Sequence, residues 1–93
     1  MELATIQEQK DLTQYIRSYI KKHGDPYDFD LFEFNVDQRR DCLNWMTFLG
    51  FVNKIEDATR KNQRLNKTYI EDVKGVADRY FIRYYPLEYE KGR

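Results

Sequence analysis

The chain has 93 residues, of which 41% are hydrophobic and 34% charged, and its sixteen basic and sixteen acidic side chains give no net charge. A chain of this length buries about 60 to 65% of its unfolded surface in one core. This predicts a single domain with a core over about residues 5–86 and a frayed tail at 87–93. No apolar run approaches the roughly 18 residues that cross a membrane, so no membrane partner is expected.

The single cysteine, Cys42, and the single histidine, His23, limit the chemistry that this chain can carry. Zinc sites and thiol–imidazole pairs need more of these side chains. Asp28 and Asp30 alternate along a predicted strand and are more simply solvent-facing than catalytic. The sequence therefore predicts no enzyme activity and no cofactor, with Cys42 as a buried packing thiol.

The first predicted element is a helix from about Thr5 to His23. Five apolar or aromatic residues recur at helical spacing and share one face: Leu12, Tyr15, Ile16, Tyr19 and Ile20. Gly24 suits the positive φ of a helix end, and Pro26 disfavours helical angles in the residue before it. The helix is therefore expected to end at His23.

A short strand within residues 27–35 is expected next, followed by a second long helix. Asn35 and Gln38 have the spacing of a capping box, which predicts a helix start there. The helical period then continues through Val36, Leu43, Met46 and Leu49, which are predicted to form its buried side. Gly50 can end a helix, and residues 51–55 favour a strand.

The rest of the chain is interpreted as a basic loop and two strands. Residues 59–67 are polar and basic, which is typical of a solvated loop. Residues 65–77 fit a strand or a helix, and a strand is favoured. The stretch "RYFIRYYP", residues 79–86, is rich in aromatic and β-branched residues, which predicts a final strand.

A helix, a short element, a helix closing as "LNWMTFLGFV", then a strand, a basic loop and a returning strand resembles the winged helix-turn-helix family. The resemblance covers about residues 5–73. It implies an α+β fold with a three-helix core and a small antiparallel β-sheet. The recognition helix would span about 36–49 and the wing about 57–67. In this family the start of the recognition helix enters the major groove and the wing reaches the DNA backbone.

The resemblance implies a small sequence-specific regulator of transcription that binds double-stranded DNA as a homodimer, since one such module buries little DNA surface. The predicted DNA-binding residues are Gln38, Arg39, Arg40 and Asn44 on the helix, and Arg60, Lys61, Arg64 and Lys67 on the wing. Glutamine can pair with adenine edges, and arginine with guanine edges or phosphates. The simpler alternative is that Arg39 and Arg40 form surface ion pairs with Asp37 or Asp41.

A protein-interaction module or inhibitor without DNA binding is the other open function, for example a viral or mobile-element protein that binds a host factor. The neutral net charge, which attracts nucleic acid little, keeps this alternative open beside DNA binding. Its surface would be the acidic, aromatic residues 25–37 or the last strand. The candidate dimer or partner residues on that strand are Tyr80, Ile82, Tyr84 and Tyr85. The N-terminal residues lack the pattern of an export signal, which predicts a cytoplasmic location.

Overall fold

The computed structural model describes residues 1–24 and 35–85, and this part of the chain forms three α-helices. These are α1 (Ile6–His23), α2 (Val36–Arg60) and α3 (Lys67–Tyr84). Within the described ranges, β pairing is limited to one isolated bridge between Leu3 and Asn66. The predicted α+β winged-helix fold is therefore wrong, and the described chain is an all-helical bundle.

Contacts near the helix ends give the direction of each helix. Gln9 near the start of α1 donates a hydrogen bond to Thr59 near the end of α2, with Nε2 and Oγ1 3.1 Å apart. Arg83 near the end of α3 contacts Asp41 near the start of α2 at 2.6 Å. Consecutive helices are therefore antiparallel, which gives an up-down-up bundle with α1 and α3 parallel.

The prediction for α1 is confirmed at both ends. Thr5 Oγ1 accepts a hydrogen bond from the Glu8 backbone N–H at 3.0 Å, and Glu8 Oε1 accepts one from the Thr5 N–H at 3.1 Å. His23 is the last helical residue, and Gly24 has a φ of +86°. The predicted apolar stripe faces the core, because Leu12 and Ile16 are buried and the stripe's other residues are partly buried.

The start of α2 is confirmed, but the predicted end at Gly50 is wrong. Asn35 and Gln38 form the expected capping box. The helix continues through Gly50 for another ten residues. A glycine inside a helix costs only about 1 kcal/mol relative to alanine. The burial of Val52 and Ile55 on the core side outweighs that cost. Residues 57–67 are consequently the end of α2, its connection to α3 and the first residue of α3, and they form no wing.

The two strands predicted after residue 65 are also wrong, since this stretch is α3. Its buried residues recur at intervals of three and four: Ile70, Val73, Ala77 and Phe81. Asn66 caps the helix, and its Oδ1 accepts a hydrogen bond from the Thr68 N–H at 2.9 Å. Helical packing has therefore overridden the local preference for strands.

Aromatic side chains fill much of the core. Trp45 and Phe48 of α2 are almost fully buried, and the Trp45 ring meets the stacked rings of Tyr80 and Tyr84 edge-on. Such aromatic pairs contribute roughly 0.5 to 1.5 kcal/mol each beyond their buried area. Cys42 lies in the same core, as predicted.

Three predictions fall on residues that are not described. The strand expected within 27–35 lies outside the described ranges except for Asn35, and the frayed tail at 87–93 lies outside them entirely. The possible partner surface at 25–37 lies outside them except for residues 35–37. Over the residues that are described, none of the helices combines the length and the apolar character that a membrane span requires.

Candidate functional site

The residues predicted to contact DNA separate into two groups at opposite ends of α2. Gln38, Arg39, Arg40 and Asn44 lie in its first turns, whereas Arg60 is its last residue and Lys61, Arg64 and Lys67 follow it. At 1.5 Å per residue, Arg39 and Arg60 are about 30 Å apart along the helix. The structure therefore does not bring the two groups onto one local surface.

The cations at the end of α2 have partners within the chain. Arg60 and Lys61 both pair with Asp57, at 3.1 and 3.0 Å. Hydrogen bonds from Lys61 and Arg60 hold the pKa of the Asp57 carboxyl below its ordinary value. Much of the positive charge at this end is thus locally compensated.

The two remaining basic residues of this group hold the N-terminal segment against the connection between α2 and α3. Arg64 Nε donates a hydrogen bond to the Ala4 carbonyl at 2.8 Å. Lys67 Nζ lies 3.4 Å from Glu2 Oε1, and the charge of Glu2 is the main cause that raises the pKa of Lys67. These contacts are structural, whatever else the side chains bind.

The cations at the start of α2 are exposed. Neither Arg39 nor Arg40 forms an ion pair with any residue in the described ranges. The expected pairing with Asp37 or Asp41 is not observed, because Asp41 pairs with Arg83. Both guanidinium groups therefore face solvent.

Large apolar side chains lie beside these arginines, on the side of α2 that points away from the bundle. Val36 is 69% exposed, Leu43 63% and Met46 51%. At 100° per residue, the three lie within about 80° of one another around the helix. Arg39 and Gly50 fall within the same arc, and we call these five residues the α2 outer face. An added Cβ at Gly50 would meet nothing within 4 Å.

The prediction that Val36, Leu43 and Met46 lie on the buried side of this helix is wrong. The buried residues of α2 are Cys42, Trp45, Phe48, Val52, Ile55 and Ala58. The two sets are interleaved, so apolar residues cover more of the helix surface than one core-facing stripe needs. The set that contains the larger aromatic residues faces the core, and the other set remains exposed.

The electrostatic character of the α2 outer face is basic. Between Asp41 and Glu56, α2 has no acidic residue. Lys54 extends the face by one turn beyond Gly50, and its Nζ lies 5.1 Å from the centre of the Tyr69 ring. The face therefore combines apolar anchors with positive charge, and none of the described residues places a carboxylate at its centre.

The predicted partner surface of Tyr80, Ile82, Tyr84 and Tyr85 is not formed as one face. Tyr80 and Tyr84 pack on Trp45 in the core, and Tyr85 packs near Tyr19 and donates a hydrogen bond to the Gly24 carbonyl. Ile82 is 45% exposed and lies on nearly the opposite side of α3 from Tyr80 and Tyr84, about 160° around the helix from each. A strand would have aligned alternate residues, whereas the helix separates them.

Comparisons with protein-family models, with curated proteins and with solved structures found no match to this chain. Within the described ranges, no three His, Cys, Asp or Glu side chains are grouped to hold a metal ion. The α2 outer face is consequently the candidate site with the clearest geometric basis.

Proposed function

We propose that this domain is a protein-interaction module whose α2 outer face binds an acidic amphipathic helix of a partner protein. The observation that carries this proposal is the exposure of Val36, Leu43 and Met46 beside arginines that have no ion pair in the described chain. Burying such a side chain stabilises a complex by roughly 1 kcal/mol or more at about 25 cal/mol per Å². Covering all three is therefore a substantial driving force for association.

The spacing of the face suits a helical partner. Leu43 follows Val36 by two turns, and Met46 follows Leu43 by one, as in the anchors of helix-to-helix recognition. Gly50, one turn further, has no side chain and allows a partner backbone to approach closely. A helix crossing α2 near Met46 and Gly50 can cover the apolar anchors and leave its polar side in solvent.

The charges of the face favour an acidic partner over a second copy of this chain. If two α2 helices paired antiparallel about a centre near Met46, Arg39 of one would oppose Lys54 of the other. Parallel pairing would place Arg39 against its own counterpart. Like charges in a contact are unfavourable. The predicted homodimer receives no support from this face and stays a prediction.

DNA binding also stays a prediction, with a weaker geometric basis than protein binding. The hypothesis was built on two basic groups acting together, and these lie about 30 Å apart along α2. The cationic residues at one end of α2 alone can make only a few phosphate contacts. Affinity for DNA depends strongly on the number of such contacts. Apolar anchors such as Leu43 and Met46 contribute little to phosphate binding.

The test is fluorescence anisotropy with a labelled amphipathic peptide of about 18 residues that carries leucine on one face and glutamate on the other. We expect saturable binding that weakens about five- to tenfold in Leu43→Ser and in Met46→Ser. Ile82→Ser removes similar apolar surface from α3 and is the matched control, expected to bind like the wild type. No binding, or equal weakening by Ile82→Ser, would contradict the proposal.

Titration with a labelled duplex of random sequence, at about 50 mM and about 200 mM salt, distinguishes DNA binding from protein binding. We expect that any binding of the duplex is not weakened by Leu43→Ser. Salt-sensitive duplex binding that is lost in Arg39→Glu but retained in Lys10→Glu, together with failure of the acidic peptide, would replace protein binding with DNA binding.

A further inference from the structure

A second surface lies between α1 and α3, away from the α2 outer face. It is a groove of about 290 Å³ lined by Leu12, Tyr15, Ile70, Glu8, Asp11, Glu71 and Lys74. The first three residues form an apolar floor, and the four charged residues form its rim. We call this feature the α1–α3 groove.

The rim of the α1–α3 groove is acidic, with three carboxylates and one ammonium group. Glu8 accepts a hydrogen bond from the Thr5 backbone, which lowers the pKa of the Glu8 carboxyl and keeps it ionised at neutral pH. Asp11 Oδ1 accepts a hydrogen bond from the uncharged side-chain amide of Gln7 at 2.8 Å. Glu71 forms no ion pair or hydrogen bond with the described residues.

Lys74 is the one cation among the described residues of the rim, and its pairing shows how a positive group fits there. Lys74 Nζ lies 3.0 Å from Asp78 Oδ2 and 5.8 Å from the centre of the Tyr15 ring. An ammonium near an aromatic face gains a cation–π interaction. Lys74 is offset by Asp78, and Lys67, whose charge also acts on Glu8 and Glu71, is paired with Glu2. Of the nearby cations, this leaves Arg64 beside Glu8 without a carboxylate partner in the described chain, so the three rim carboxylates outnumber the unpaired cations.

We infer that the α1–α3 groove binds a basic segment of a partner protein, with a lysine or arginine laid across its floor. The aliphatic part of that side chain would contact Leu12 and Ile70, and its cationic end would lie among Glu8, Asp11 and Glu71. Long basic side chains commonly bury their stems on apolar surface while the charged end stays near water. The inference is independent of the α2 outer face, which has the opposite charge.

Amide chemical shifts of the labelled protein provide the test, using a leucine–lysine amphipathic peptide as the probe. We expect shift changes centred on Leu12, Tyr15, Ile70 and Glu71. A serine–lysine peptide of equal charge is expected to bind at least threefold more weakly, since it lacks apolar contacts. Equal binding of the two peptides would indicate non-specific charge attraction and overturn the inference.

Two substitutions in the groove are expected to act in opposite directions. Glu71→Lys should weaken binding of the leucine–lysine peptide about three- to tenfold, and Lys74→Gln should strengthen it, because each changes the charge facing the ligand. Asp72→Lys makes the same charge change on the neighbouring position of α3, outside the groove, and is expected to have a smaller effect than Glu71→Lys. Equal effects at 71 and 72 would overturn the inference.

The same preparations separate this inference from the proposed function. The acidic peptide proposed to bind the α2 outer face has leucine on one side and glutamate on the other, and we call it the leucine–glutamate peptide. Its binding should be unchanged in Glu71→Lys if both proposals hold. If raising the concentration of protein alone reproduces the shifts at Tyr15 and Glu71, the groove binds a second copy of the chain, and the inferred partner is wrong.

Discussion

The side-chain oxygen of Gln9 accepts a hydrogen bond from the backbone N–H of Leu65 at 2.8 Å and so ties α1 to the connection between α2 and α3. The amide nitrogen of the same side chain donates to the Gln63 carbonyl at 3.0 Å and to Thr59 Oγ1 at 3.1 Å. Gln9 is fully buried. One polar side chain thus satisfies backbone groups that the chain exposes where it leaves α2.

Replacing Gln9 with leucine should destabilise the bundle by about 2 to 4 kcal/mol, because buried backbone groups at Gln63 and Leu65 lose their partner. The free energy of unfolding in urea measures this change. Gln14→Leu, at an exposed position of α1, is the matched control and is expected to stay within about 0.5 kcal/mol of the wild type. Equal stability of the two variants would mean that the Gln9 contacts contribute little.

Gly50→Ala should stabilise the free protein by roughly 0.5 to 1 kcal/mol, since alanine favours the helix and its Cβ meets no neighbour. Thermal and urea unfolding test this expectation. The same change is expected to weaken binding of the acidic peptide, because a methyl group then stands where the partner backbone approaches. A variant that is both more stable and binds more tightly would place the partner helix elsewhere on α2.

Acid should destabilise the protein partly through Asp57. Hydrogen bonds from Lys61 and Arg60 lower the pKa of this carboxyl in the folded state. Its contribution to stability is therefore present above the unfolded pKa of about 4, and it is lost as the pH falls through the lower folded pKa. Asp57→Asn should flatten the decline of unfolding free energy in that range. Asp72→Asn, at an exposed position of α3, is the control, and an equally flat profile there would contradict this assignment.

The bounds of α1 and the start of α2 could be predicted from the sequence because their signals are local. The start of α1 near Thr5, the capping box at Asn35 and the positive φ of Gly24 depend on a few neighbouring residues. The predictions that stopped α2 at Gly50 used the same kind of local signal. They failed because the energy that continues this helix comes from Val52 and Ile55 packing against other helices.

The second half contained a helical signal that strand preference obscured. Ile70, Val73, Ala77 and Phe81 have intervals of three and four residues, which fit a helix and not an alternating strand. Strand propensities differ by only about 1 kcal/mol between the most and the least favourable residues, so aromatic and β-branched residues favour strands by no more than that. The burial of Phe81 in the core outweighs such a preference.

The sequence alone does not indicate which side of α2 faces the core, so the exposed site could not be predicted. α2 has two interleaved apolar sets, one with Trp45 and Phe48 and one with Leu43 and Met46. The first set faces the core because Trp45 packs on aromatic rings of α3, more than thirty positions away. The other apolar set is left exposed by a long-range contact.

The most direct test of the α2 outer face is a residue-by-residue map of amide shift changes when the leucine–glutamate peptide is added to the labelled protein. We predict that the changes centre on Val36, Arg39, Leu43, Met46 and Gly50 and that they are reduced in Leu43→Ser. Changes centred instead on residues 60–67, or no change at saturating peptide, would contradict the proposal that this face binds an acidic helix.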